Sequence, residues 1–180
     1  MYKYVGLVAV VVLAVGLWFV VHRWPRGVSY TFSQHIALRR SSIIYYAALF
    51  FVTMPLLVLF FIKWFVPEYN ISHWFTVLAI GSAVAQCACT LVPETGGMKS
   101  HIHRALAGIS AILLIPALLI LSLQKEMGTL QMILILLSVA VMTVIASLVA
   151  LSGGKHKYFL VLQAVYFAAF FAPILFISYL

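Results

Sequence analysis

The stretch TLQMILILLSVAVMTVIASLVAL, Thr129 to Leu151, decides the fold. It holds no charged residue, no proline and no glycine. Its apolar residues run on continuously, whereas a membrane strand would alternate apolar with polar positions. A helix needs about 20 mostly apolar residues to cross the ~30 Å hydrocarbon core of a bilayer, and this run suffices. Five more stretches of the same kind lie around it: about Tyr4–Val21, Ile43–Val66, His73–Val92, Arg104–Leu123 and Tyr158–Tyr179. The expected fold class is therefore all-α, a polytopic membrane protein with a single bundle of six transmembrane helices. Residues 1–180 form one domain, without internal repeat or linker.

Composition agrees. The chain is 66% hydrophobic and 8% charged, with a mean hydropathy of +1.17, where a soluble domain carries about 25% charged residues. Too little polar surface exists to face water on all sides. The run following Met1-Tyr2-Lys3 is too long for a secretory signal, and His22-Arg23-Trp24-Pro25-Arg26 offers no small-residue cleavage site, so it reads as an uncleaved first span.

The formal net charge is +8, and the only acids are Glu68, Glu94 and Glu126. The bases sit in short loops beside apolar spans, which points to membrane lipids with anionic headgroups as partners and not to nucleic acid. Arg23, Arg26, Arg39, Arg40, Lys99, Arg104, Lys155 and Lys157 fall in loops one, three and five, against Lys3, Lys63 and Lys125 on the other side. The positive-inside rule then places loops one, three and five in the cytoplasm and both termini outside.

Polar residues inside the spans are not scattered. Ser82, Gln86, Cys89, Thr90 and Pro93 share one helix face that ends at Glu94. His103, Ala107 and Ser110 share a face of the fourth span, and Gln163 and Tyr166 are a turn apart on the sixth. Each stripe starts at the basic side, so we expect a polar cavity open toward loops one and three. The plainer alternative is interhelical hydrogen bonding that lets helices pack. Gln86 should face the interior and hydrogen-bond another helix, through Gln163, Ser110 or a buried water. Cys87 and Cys89, two apart, diverge on a helix and should pack as small apolar residues without a disulfide.

The richest loop is Pro93-Glu94-Thr95-Gly96-Gly97-Met98-Lys99-Ser100-His101-Ile102-His103. Ser100 could cap the fourth helix, and Glu94 should pair with His101 or His103. Those two histidines diverge on a helix, so they cannot share a metal, and all six histidines lie in loops or at span ends, away from haem depth. We expect no metal and no cofactor. In loop one, Phe32, Ile36 and Leu38 alternate with polar groups, as in a segment lying in the membrane interface.

Two stretches carry a likeness. Thr31-Phe32-Ser33-Gln34-His35-Ile36-Ala37 follows the first span; Leu91-Val92-Pro93-Glu94 follows the third and leads to a histidine opening the fourth. This layout resembles the bacterial six-span family called domain of unknown function 998, and more distantly the Frag/DRAM/Sfk membrane proteins. Val92 stands where that family usually has phenylalanine, and Glu94 where aspartate is common. The resemblance implies the six-span architecture and a polar site on the loop side, with a weak leaning toward lipids through the eukaryotic relatives.

The favoured expectation is a lipid-binding or lipid-regulating protein of the bacterial cytoplasmic membrane. Its ligand-binding residues would be Ser33, Gln34, His35, Gln86, Glu94, His101, His103 and Gln163. The alternatives are a membrane-embedded lipid-modifying enzyme, with Glu94 and His103 as the candidate catalytic acid–base pair, or a small transporter kinked at Pro55, Pro116 and Pro173.

Overall fold

The computed structural model describes residues 2–37, 39–124, 127–152 and 156–180, and among them the only regular structure is helix. The helices are α1 (Tyr2–Arg23), α2 (Phe32–Ile36), α3 (Arg40–Phe60), α4 (Val66–Glu68), α5 (His73–Leu91), α6 (Gly97–Ser122), α7 (Thr129–Leu151) and α8 (Phe159–Tyr179). A π-helical turn, Phe61–Phe65, joins α3 to α4, so Arg40–Glu68 is one continuous span. Six helices are thus long and apolar enough to cross a membrane. No more than 39% of any span is buried inside the bundle. The outward remainder is apolar, with Val84, Ile112 and Leu137 all exposed, the inverse of a soluble bundle.

Each span packs against its neighbour in the chain: α1 on α3, α3 on α5, α5 on α6, α6 on α7, α7 on α8. The ring closes between α8 and α1, where the Tyr179 hydroxyl donates to the Lys3 carbonyl and accepts from the Leu7 N–H at 3.1 Å. Two glycines allow the α1–α3 approach. A Cβ at Gly6 would stand 2.6 Å from the Phe60 ring, and one at Gly16 2.5 Å from a Leu49 methyl. At the end away from the basic loops, Phe60, Phe61, Phe65 and Phe75 form a buried aromatic cluster, with Phe61 edge-on to Phe75 at 5.2 Å. Such edge-to-face contacts add to area burial. Pro55, Pro116 and Pro173 lie inside α3, α6 and α8, which continue through them.

Three local expectations are corrected. The fourth span opens at Gly97, about two turns before Arg104, so Lys99 to His103 are helical and not loop. Ser100 therefore sits inside the first turn of α6; its Oγ accepts the Gly96 N–H at 2.8 Å from within the helix, and Gly96 occupies the cap position. Loop one, read as an alternating stretch, is helical in part. Its residues 32–36 coil into α2, with Phe32 and Ile36 buried in the core, because the mouth of the bundle offers an apolar seat. Leu38 falls outside the described residues.

Candidate functional site

Helix α5 ends at Leu91, as expected two residues before a proline: Val92 is extended, which the following Pro93 ring demands. Glu94 comes next. The chain then reverses through Gly96 at φ 104° and Gly97 at φ 55°, a conformation that favours glycine. The reversal turns the Glu94 side chain inward.

On the facing side α2 is built by a capping box. The Gln34 N–H donates to Thr31 Oγ1 at 3.1 Å, and the Thr31 N–H donates to Gln34 Oε1 at 3.0 Å. The first N–H of the helix, from Phe32, donates to Gln163 Oε1 on α8 at 3.0 Å. Thus α2 is tied to the last span at one end and to Glu94 along one face.

Glu94 is the hub. Oε1 accepts Arg104 Nε at 2.7 Å and Gln34 Nε2 at 3.0 Å; Oε2 accepts Ser33 Oγ at 3.1 Å and Thr31 Oγ1 at 3.3 Å. Its side chain is 4% exposed. Burying a carboxylate so far is costly unless it is paired and hydrogen-bonded; Arg104, Gln34 and the Ser33–Thr31 hydroxyl pair, whose two oxygens also lie 2.8 Å apart, meet that demand. No hydrogen bond or ion pair joins Glu94 to His101 or His103. The expected acid–base pair is replaced by Glu94–Arg104, because His103 is turned into the helix interface: its Nδ1 lies 2.6 Å from the Val92 carbonyl and 3.0 Å from that of Cys89. Both are acceptors, so Nδ1 carries the proton. The Cys89 sulfur rests 3.4 Å from both ring nitrogens, a packing contact more than a directed bond.

Below this hub opens a cavity of about 360 Å³ between α5, α6, α7 and α8, within the range of small-molecule sites. Ser33, Gln34, Gln86, Glu94, His103 and Gln163 all line it, together with Thr31, Tyr46 and Arg104 at the polar end. Farther in, the walls are Ala111, Leu114, Ile145, Val149 and Phe167. From Arg104 to Leu114 along α6 is about 15 Å at ~1.5 Å per residue. A smaller void, about 40 Å³, continues the path; it shares Gln86, Ser110, Leu114 and Phe167 with the first.

Two of the candidate residues lie elsewhere. His101 is exposed and does not line the cavity. His35 is buried behind α2, with Nδ1 on the Trp24 carbonyl at 2.9 Å and Nε2 without a partner. Burial holds its pKa below the ordinary histidine value; the Trp24 carbonyl partly offsets this and the charge of Arg26 adds to it.

The polar stripes divide between the two roles foreseen for them. Ser82 and Ser110 are interhelical ties: each hydroxyl bonds the other residue's carbonyl, at 2.8 and 3.0 Å. Tyr166 ties α8 to α6 through the Ala111 carbonyl at 2.6 Å. Gln86 is different. It lines both voids and bonds neither Gln163 nor Ser110. Cys87 and Cys89 are free thiols, as expected.

Gly108 is the residue that pattern reading passed over. It lies mid-helix on the cavity wall, and a Cβ there would meet nothing within 4 Å. Glycine inside a helix costs ~1 kcal/mol against alanine, and no close packing calls for it here. Its effect is space. Among the described residues no three metal-ligating side chains converge.

No family model, no curated protein and no solved structure matches this chain.

Proposed function

We propose that this integral membrane protein binds a membrane amphiphile, a lipid, in the α5–α8 cavity, with the headgroup at the Glu94–Arg104 rim and the chain along the apolar wall. The observation that carries this reading is the division of one cavity into a charged, hydrogen-bonding mouth and an apolar depth, kept open at Gly108. A water-soluble metabolite would leave the Leu114–Val149 wall unused; a pure hydrocarbon would leave the Gln86 amide and the outer edge of the Arg104 guanidinium unused. The excess of lysine and arginine at this end supports placing it in the cytoplasm, with both termini outside. The likeness to the domain of unknown function 998 family supports a bacterial cytoplasmic membrane as the location.

The enzyme alternative loses its motivation, because Glu94 is held by Arg104 and by donors on α2 and makes no hydrogen bond to His103.

Native mass spectrometry of the protein extracted in a neutral detergent tests the reading. The wild type should carry a co-purified lipid. Gly108→Trp, which fills the cavity from a position where a side chain meets no neighbour, should fold and carry none. Equal lipid retention by wild type and a well-folded Gly108→Trp would remove the proposal.

A further inference from the structure

We propose that the cavity selects an amphiphile with an anionic headgroup, phosphate or carboxylate, and that the free edge of the Arg104 guanidinium is the group that selects it. The inference rests on the amphiphile-binding reading and names the headgroup class.

A census of donors and acceptors at the mouth carries the argument. Among the described residues Glu94 is the one acid lining the cavity, and its oxygens already meet Arg104 Nε, Gln34 Nε2 and the Ser33 and Thr31 hydroxyls, which also bond one another at 2.8 Å. A cationic head such as an ammonium would have to compete with these donors for the carboxylate. It would have to displace α2, which those bonds hold in place. Gln34 is spent as well, its Oε1 on the Thr31 N–H and its Nε2 on Glu94.

What remains free is mostly donor. Arg104 uses only Nε against Glu94; Nη1 and Nη2 have no partner among the described residues. The arginine side chain is 51% exposed, so this edge stands at the rim, hydrated and reachable. Two parallel N–H groups fit a phosphate or carboxylate two-pronged, a geometry that a lone ammonium cannot offer. Gln163 uses Oε1 on Phe32, which leaves its NH₂ unpartnered on the cavity wall. The Gln86 amide is free altogether.

Glu94 also positions the selector. Its bond to Nε fixes the guanidinium plane while leaving the outer edge open, so less freedom is lost when an anion docks. The carboxylate cancels much of the Arg104 charge, yet Arg26, whose guanidinium donates to the Gln34 carbonyl at 2.8 Å, adds a second cation at the same mouth.

The test uses thermal unfolding of the full chain in phosphatidylcholine nanodiscs, titrated with dodecyl phosphate, dodecyltrimethylammonium, dodecanol and inorganic phosphate. Gly108→Trp reports non-specific bilayer effects. Removing Arg104 alone would strand a buried carboxylate, so the deciding comparison is Glu94→Gln against the double variant Glu94→Gln, Arg104→Gln, in which both charges are gone. Dodecyl phosphate should stabilise the wild type and Glu94→Gln, and its apparent affinity should fall ~10- to 100-fold in the double variant, the range for a charge-assisted pair. Dodecanol should bind both variants equally. Dodecyltrimethylammonium and inorganic phosphate should bind neither.

Undiminished dodecyl phosphate affinity in the double variant, or a preference for the ammonium probe, overturns the inference while amphiphile binding stands. A shift by inorganic phosphate equal to that by dodecyl phosphate would mark a site for free anions and overturn it also. If no amphiphile shifts the wild type beyond Gly108→Trp, the amphiphile reading itself fails and takes the inference with it. Arg104→Lys in the Glu94→Gln background should give an intermediate affinity; an affinity equal to that of arginine would show that the two-pronged edge is not the selector.

Discussion

Arg104 and Glu94 form an ion pair of unequal burial: Nε lies 2.7 Å from Oε1, with the arginine side chain 51% exposed and the glutamate side chain 4% exposed. The glutamate depends on the pair more than the arginine does, because an arginine left alone at the rim is solvated by water and a carboxylate left alone beneath it is not.

Substitutions should therefore be asymmetric. Glu94→Gln keeps an acceptor for its neighbours and should cost ~1 kcal/mol. Arg104→Ala strands the carboxylate and should cost ~3 kcal/mol. Adding Glu94→Gln to Arg104→Ala should restore part of that loss. Chemical denaturation of the three proteins in one detergent checks the order, and equal costs for the two single changes would show that Glu94 is well hydrated.

Gly108→Ala should stabilise the protein by ~1 kcal/mol, the helix-propensity difference, since a Cβ there touches nothing within 4 Å. Loss of stability in a melting curve would mean that α6 packs more closely there than described.

Gln86→Leu should leave stability within ~0.5 kcal/mol, because the amide makes no bond to protein and such bonds average only ~0.6 kcal/mol in membrane proteins. The amount of co-purified lipid should drop. A large fall in melting temperature with lipid retained would make Gln86 a structural tie.

His35 sets a pH dependence. Its pKa is lowered in the folded protein, so the unfolded chain binds a proton first on acidification. Stability from this group is complete above the ordinary histidine value of ~6.5 and is lost as pH falls from there toward the folded pKa. His35→Asn retains an N–H for the Trp24 carbonyl and does not titrate. Melting temperatures from about pH 8 to about pH 5 should fall more steeply for the wild type than for His35→Asn; parallel curves would assign the acid sensitivity elsewhere.

The spans were legible because lipid allows only one solution for a long apolar run, and Thr129–Leu151 and His73–Leu91 lie within a residue of their expected limits. The start of α6 was not, because Gly96-Gly97 and the polar residues after them read as loop, although Lys99 to His103 are compatible with a helix emerging from the membrane. The cavity face was legible from the spacing of Gln86, Cys89 and Glu94, and of His103, Ala107 and Ser110. The partner of Glu94 was not. Proximity across a glycine turn leaves no periodicity, so Arg104 read only as a topology-setting charge. Thr31 and Gln34 stand at capping-box spacing, a helix-start signal within loop one that the interfacial reading of this segment passed over. Gly108 is silent in any hydrophobic pattern, since the absence of a side chain has a meaning only once its neighbours are known.

The ring of spans has a consequence for biogenesis. With every helix packed on the one made just before it, the first five can associate pairwise as they leave the insertion machinery, without waiting for distant sequence. The last, besides packing on α7, makes the long-range contacts: α8 supplies Gln163 to α2, the Tyr166 and Phe167 wall of the cavity, and the Tyr179 closure onto α1. Until it arrives, the nascent protein has an open side at which the Gln86 amide faces lipid, a costly exposure that the last helix ends. Completion of the cavity wall and concealment of that amide are then the same event.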